Sequence, residues 1–273
     1  MKIKIYLIFL CAGFVAFQAA AQVNEYEFSR LSVGYDPLRY TLDSEGKQPL
    51  EGKCRIVYPG NEGEWEECEF RNGKRHGTFL YFLEHTLRTK GAYRDGLAAG
   101  VFYDYDSDGK TLKREASYQA GELKGVDKVY CSGGKLRSET GYAMGQKDGV
   151  DRTYDCETGK ITLEQHYEGG ELHGKSLSYL SSSDGKDAIE RTVYKRGRQN
   201  GEYSVIFLDG TVREAGYFEN GRKSGEWLTR DVGNNKTGMR RVYEGEMIVE
   251  QEDIDDFDKY IHEHRPELEG LKW

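Results

Sequence analysis

Along the chain, aromatic and aliphatic residues sit in short runs, interleaved with polar ones and broken by glycine. Alternation over a handful of residues between turn signals predicts short, half-buried strands. One phrase organises the runs: an aromatic residue, two positions, glycine, three positions, glycine. It occurs seven times, as Phe70–Gly73–Gly77, Tyr93–Gly96–Gly100, Tyr118–Gly121–Gly125, Tyr142–Gly145–Gly149, Tyr167–Gly170–Gly174, Tyr194–Gly197–Gly201 and Phe218–Gly221–Gly225. The closing glycines are 23, 25, 24, 25, 27 and 24 residues apart. A fixed period in this range marks a stacked-repeat architecture.

Each period reads as a β-hairpin. Five positions after the closing glycine comes a bulky residue such as Phe82, Tyr105, Tyr130 or Tyr154. A polar turn follows, as in Ser107-Asp108-Gly109-Lys110 or Glu157-Thr158-Gly159-Lys160, where glycine supplies the positive φ of a reversing chain. The return strand carries an apolar residue six before the next aromatic, for example Leu136 before Tyr142, so the two share a face. Glu115, Glu139 and Glu164 lie three before their aromatics and point the other way. The fold class expected is therefore all-β: an elongated, twisted antiparallel β-meander of about eight β-hairpin repeats, 23–27 residues each.

Composition sharpens this. Hydrophobic residues are 37% and charged ones 32% of 273, with 34 Gly, 20 Tyr and only 4 Pro. So little apolar content argues against the thick core of a helical or doubly wound enzyme, while 12% aromatics argue against disorder. A net charge of −8 disfavours nucleic acid as a partner.

Phrases such as Phe70-Arg71-Asn72-Gly73-Lys74-Arg75-His76-Gly77 and Phe218-Glu219-Asn220-Gly221-Arg222-Lys223-Ser224-Gly225 resemble the MORN repeat family. The likeness is closer to its bacterial variant, found in YwqK-type antitoxin proteins, and it runs from about Gly46 to Glu250. It implies a scaffold or binding surface rather than a catalyst. The units lack the extra glycine pair of the eukaryotic consensus.

The ends differ from the middle. Residues 1–21 read as a signal peptide: a basic start (Lys2, Lys4), an apolar run from Ile5 to Phe17, and small residues Ala19 and Ala21 before a cleavage point after Ala21. The run is too short to span a membrane, and Cys11 lies within it. The protein is thus expected to be exported, to the periplasm, envelope or medium. Residues 22–45 hold Tyr26, Phe28, Leu31, Tyr35 and Tyr40 without the repeat and read as an N-terminal cap to the repeat domain, 46–250. Residues 251–273 are expected to form an acidic helical cap. There Ile254, Phe257 and Ile261 fall at helical spacing, Pro266 stops the helix, and Leu268, Leu271 and Trp273 fold back onto the sheet.

Export makes disulfides chemically possible. Cys54 and Cys68 lie symmetrically about a turn near Pro59–Gly63; the spacing allows a bridge and equally allows two free thiols. Cys131 and Cys156 follow matching tyrosines by one and two residues, an offset that points them to opposite faces and predicts buried or free thiols.

Two motifs imitate chemistry. Gly169-Gly170-Glu171-Leu172-His173-Gly174-Lys175-Ser176 matches the phosphate-binding loop letter for letter, but that mechanism needs a strand before it and a helix after it. Here the glycines are those of every sibling repeat and a strand is expected to follow. Asp104, Asp106 and Asp108, with Glu115 in twelfth place, match a calcium loop. The repeat explains the same residues as turn and polar face, leaving a weak calcium site in the turn as the alternative. The six histidines form no ligand set by spacing. No catalytic, cofactor or metal residue is expected, and no cofactor. The function expected is a non-enzymatic exported scaffold that binds a protein partner, or an envelope component, through its sheet. The alternatives are an antitoxin or immunity protein acting by direct binding, and a glycan or cell-wall binding module.

Overall fold

A computed structural model describes residues 23–269, apart from 36, 37, 62, 182–185, 232 and 235. The predicted signal peptide with Cys11, and also Leu271 and Trp273, lie outside the described residues. Among the described residues strands dominate, and the chain divides into two compact units, 1–134 and 135–273.

The first unit holds β1 (Asn24–Glu27), β2 (Ser32–Tyr35), β3 (Leu38–Thr41), β4 (Gly52–Val57), β5 (Trp65–Arg71), β6 (Lys74–Leu83), β7 (Thr86–Arg94), β8 (Leu97–Ala98), β9 (Gly100–Tyr105), β10 (Leu112–Gln119) and β11 (Glu122–Tyr130). From β4 onward successive strands pair antiparallel, β7 meeting both β8 and β9. β1 runs parallel to β4, and β2 and β3 form a hairpin of their own. The second unit holds β12 (Leu136–Ala143), β13 (Gln146–Tyr154), β14 (Ile161–Glu168), β15 (Glu171–Leu180), β16 (Ala188–Lys195), β17 (Arg198–Phe207), β18 (Val212–Glu219), β19 (Arg222–Arg230), β20 (Gly238–Glu244) and β21 (Met247–Ile254), then α1 (Phe257–His264). Each strand pairs antiparallel with the next. The antiparallel hairpin meander read from the repeats is the fold.

The two glycines of the repeat do different work. The first is the second residue of a two-residue turn in which both residues have positive φ, as at Asn72-Gly73 (48°, 74°) and Met144-Gly145 (48°, 74°). Such turns match the right-handed twist of the strands they join. The second glycine, four residues on, is already inside the outgoing strand. There Thr140 pairs with Asp151 and Tyr142 with Lys147, so Gly141 alone faces Asp148, Gly149 and Val150. Gly149 takes φ +90° at this bulge. The same slip recurs in β10–β11, β14–β15 and β16–β17. The seven-fold phrase therefore encodes a turn and a bulge, not one long turn.

Each unit buries its own core. In the first, Tyr40, Leu50, Cys54, Ile56, Cys68, Phe70 and Phe79 cluster, and rings meet edge to face from Tyr40–Phe70 (5.4 Å) to Phe102–Tyr118 (5.2 Å). In the second, Ile206, Val212, Ala215 and Leu228 are roofed by Ile254, Phe257, Ile261 and Leu268. Asp256 caps α1 by accepting from the Lys259 amide at 3.0 Å. Gly238 leaves room for Phe257, since a Cβ there would lie 2.1 Å from the ring. On the other side of the sheet Gly216 does the same for Trp227, at 2.3 Å.

Two expectations need correction. Cys131 and Cys156 are each disulfide-bonded rather than free thiols. Strand alternation misjudged them because both lie past the strand ends, in turns where side-chain direction no longer alternates. Ile254 is buried against α1 but ends β21 rather than starting the helix, because the ladder with β20 holds it opposite Gly238. Cys54 and Cys68 do face each other across β4–β5 and are free thiols. Their Sγ atoms donate to carbonyls of Glu51 and Gly52 (both 3.6 Å) and of His76 (3.5 Å), and burial pushes both thiols up to about 12.

Candidate recognition surface

β12–β15 differ from β16–β19, which follow them: none of their hydrophobic residues is buried, and Ser176 is their one buried residue. The ladder register fixes what each face presents. Glu139, Arg152 and Glu164 stand opposite one another in one row. The Arg152 guanidinium donates to Glu139 at 3.0 Å and to Glu164 at 2.7 Å, and the Tyr154 hydroxyl donates to Glu139 at 2.8 Å. Burial first, and then that hydrogen bond, raise the Tyr154 phenol.

The other face carries the row Thr140, Asp151, Gln165, Ser176 and Thr192. Asp151 accepts from Thr140 Oγ1 at 2.8 Å and from Lys147 Nζ at 2.6 Å. Lys147 lies 4.7 Å from the centre of the Tyr167 ring, whose hydroxyl donates to Gln165 at 3.1 Å. Lys147 is raised: burial opposes its charge, but the hydrogen bond and charge of Asp151 outweigh it. Both faces thus present half-buried tyrosines set among paired charges, a chemistry suited to recognition.

The residues that imitated chemistry are used structurally. Gly169 and Gly170 form the turn between β14 and β15, and a strand, not a helix, follows Gly174. Asp104 accepts from Thr89 Oγ1 at 2.8 Å, and Asp106 from the Ser107 amide at 2.6 Å. Asp108 accepts from the Lys110 and Thr111 amides at 2.9 and 2.8 Å. The Thr111 hydroxyl, then these amides, hold the Asp108 carboxyl down at about 2. β9 and β10 flank this loop, so it is not a helix-flanked calcium loop. His76 meets Asp95 (3.5 Å), His173 meets Glu168 (3.3 Å), His262 meets Glu269 (3.2 Å), and His264 stacks on Tyr260.

The deepest charge pair lies elsewhere, in the first unit. Arg75 donates to Glu66 at 2.6 Å, with its guanidinium 5.0 Å from the Tyr40 ring and 5.5 Å from those of Phe79 and Tyr93. Burial, chiefly, pushes the Tyr40 phenol up to about 12. Both charges are enclosed by the core, so the pair serves packing. Sequence reasoning missed this group and its relatives. Arg75, Lys147 and Lys223 all stand two before a closing glycine, and each lies over an aromatic ring and pairs with an acid. That periodic cation was available as a signal.

In comparisons with known proteins, no family model matches the chain and no curated protein matches it.

Proposed function

We propose that the protein is a non-catalytic, exported repeat scaffold of the MORN-variant kind that binds a protein partner through the open faces of β12–β15. The observation that carries this is the absence of any buried hydrophobic residue in these four strands. An antiparallel sheet ordinarily packs one face on a core. Four strands of eight to ten residues offer roughly 600 Å² per face from strand spacing and rise. That approaches the roughly 800 Å² each partner contributes to a standard interface.

Tyr142, Tyr154 and Tyr167 supply rigid amphipathic contact area, and the charge rows around them set orientation. A non-catalytic reading is supported by the engagement of the carboxylates: Glu139, Asp151 and Glu164 are held by neighbouring donors. The test is a pull-down from the native envelope with the wild type and a variant in which Tyr142, Tyr154 and Tyr167 become Ser. The reading expects the partner to be lost from the variant. Retention of every partner by a folded variant would contradict it.

A further inference from the structure

The turns that join β16–β17 and β18–β19 hold a concentration of positive charge in a chain whose net charge is −8. Lys195 and Arg198 stand directly opposite each other in the ladder, with Arg196 in the turn between them. Like charges opposed across a ladder destabilise it. Among the described residues none of these three has an ion-pair partner.

Beside them the surface folds into a cleft of about 380 Å³, lined by Arg198, Arg222, Lys223, Asn220, Ser224 and Glu219. Arg222 meets Glu246 at 3.2 Å, but both side chains are largely exposed, so the bridge is weak and easily exchanged. Lys223 is tied down, 3.0 Å from Glu214 and 3.8 Å from the Trp227 ring. The guanidinium forks of Arg198 and Arg222 line the cleft together with Asn220 and Ser224. Glu219 is the opposing charge at the rim.

We infer that this cleft binds the tetrahedral oxyanions of a phosphate- or sulfate-bearing polymer. Guanidinium forks match such oxygens two at a time, and an anion seated there relieves the Lys195–Arg198 repulsion. The proposal is independent of the protein-binding faces of β12–β15, because it uses the turn edge of later strands.

The experiment is calorimetric titration of the full chain with inorganic polyphosphate, dextran sulfate and, as a carboxylate control, polyglutamate. Saturable binding of polyphosphate, dextran sulfate or both is expected, and the responding arm identifies the source. Arg198→Gln and Arg222→Gln should each weaken binding about tenfold, while Lys113→Gln, on an exposed lysine of the first unit, should change nothing. Without ligand, Arg198→Gln should melt no lower than wild type, since it removes a repulsion. Failure of both oxyanion polymers to bind would overturn the proposal. So would equal binding of polyglutamate, an equal loss in Lys113→Gln, or a lower melting point for unliganded Arg198→Gln.

Discussion

One row of the second unit tells two stories. At β12–β14 it reads Glu139, Arg152, Glu164, a charge-paired ladder; at β18–β19 the same row reads Ala215 and Leu228, sealed under α1. The opposite face changes in parallel, from Thr140, Asp151, Gln165 and Ser176 to Tyr203 and Trp227, whose rings stack 5.3 Å apart. Backbone geometry is common to both regions, turn and bulge included. What differs is where stability comes from: burial at the end, cross-strand pairs in the middle. A repeat fold tolerates this because each hairpin leans chiefly on its neighbours, so the middle strands can leave both faces without a core.

The sharpest way to break this contrast is Phe257→Ala. It empties a fully buried site that Gly238 was kept small to accommodate, and it should cost about 3–5 kcal/mol. Hydrogen exchange should show the loss in β18–β21, with β12–β14 far less affected. Tyr167→Ala, by contrast, should cost only about 1 kcal/mol in denaturant unfolding, since it removes one ring, one cation contact and one hydrogen bond from a solvated face. Equal costs for the two variants would dissolve the distinction.

A smaller effect of opposite sign is expected at Met144, 83% exposed and held at φ 48° in the turn before β13. Met144→Gly should stabilise the middle by about 0.5–1 kcal/mol, visible as a raised melting temperature, because in the left-handed region a Cβ crowds the following carbonyl oxygen and glycine has none.

The turn carboxylates give the mildest test. Asp108 is held at about 2, and Asp155 is also lowered, first by the Thr158 amide and then by its hydroxyl. A depressed folded pKa means that the contribution is complete above the ordinary carboxylate range and is lost as pH falls towards 2. Asp108→Asn should therefore flatten part of the decline in melting temperature between pH 5 and pH 2, and an unaltered slope would show that this turn is not coupled to folding.

Much of the fold was legible because glycine at fixed intervals leaves little choice: positive φ at a two-residue turn is a local demand, and Asn72-Gly73 or Asn220-Gly221 states it outright. The apolar Phe257 and Ile261 at helical spacing, with Pro266 beyond them, announced the helix for the same reason. What escaped depends on register. The bulge at Gly149 decides that Asp151, rather than a neighbour, faces Thr140 and Gln165, and no residue type signals that pairing alone. Alternation also stops at a strand's last residue, which is why the bonding of Cys131 and Cys156 was misread. The open faces were illegible too, since Tyr142 and Tyr167 carry the same repeat signature as the covered Phe70.

The most direct measurement places a photoreactive benzoylphenylalanine at Tyr142, Tyr167 or, as a reference outside β12–β15, the exposed Tyr217, with irradiation in the native envelope. The account predicts one discrete protein adduct from Tyr142 and Tyr167 and none from Tyr217. Adducts from Tyr217 alone, or the same adduct at equal yield from all three positions, would contradict it.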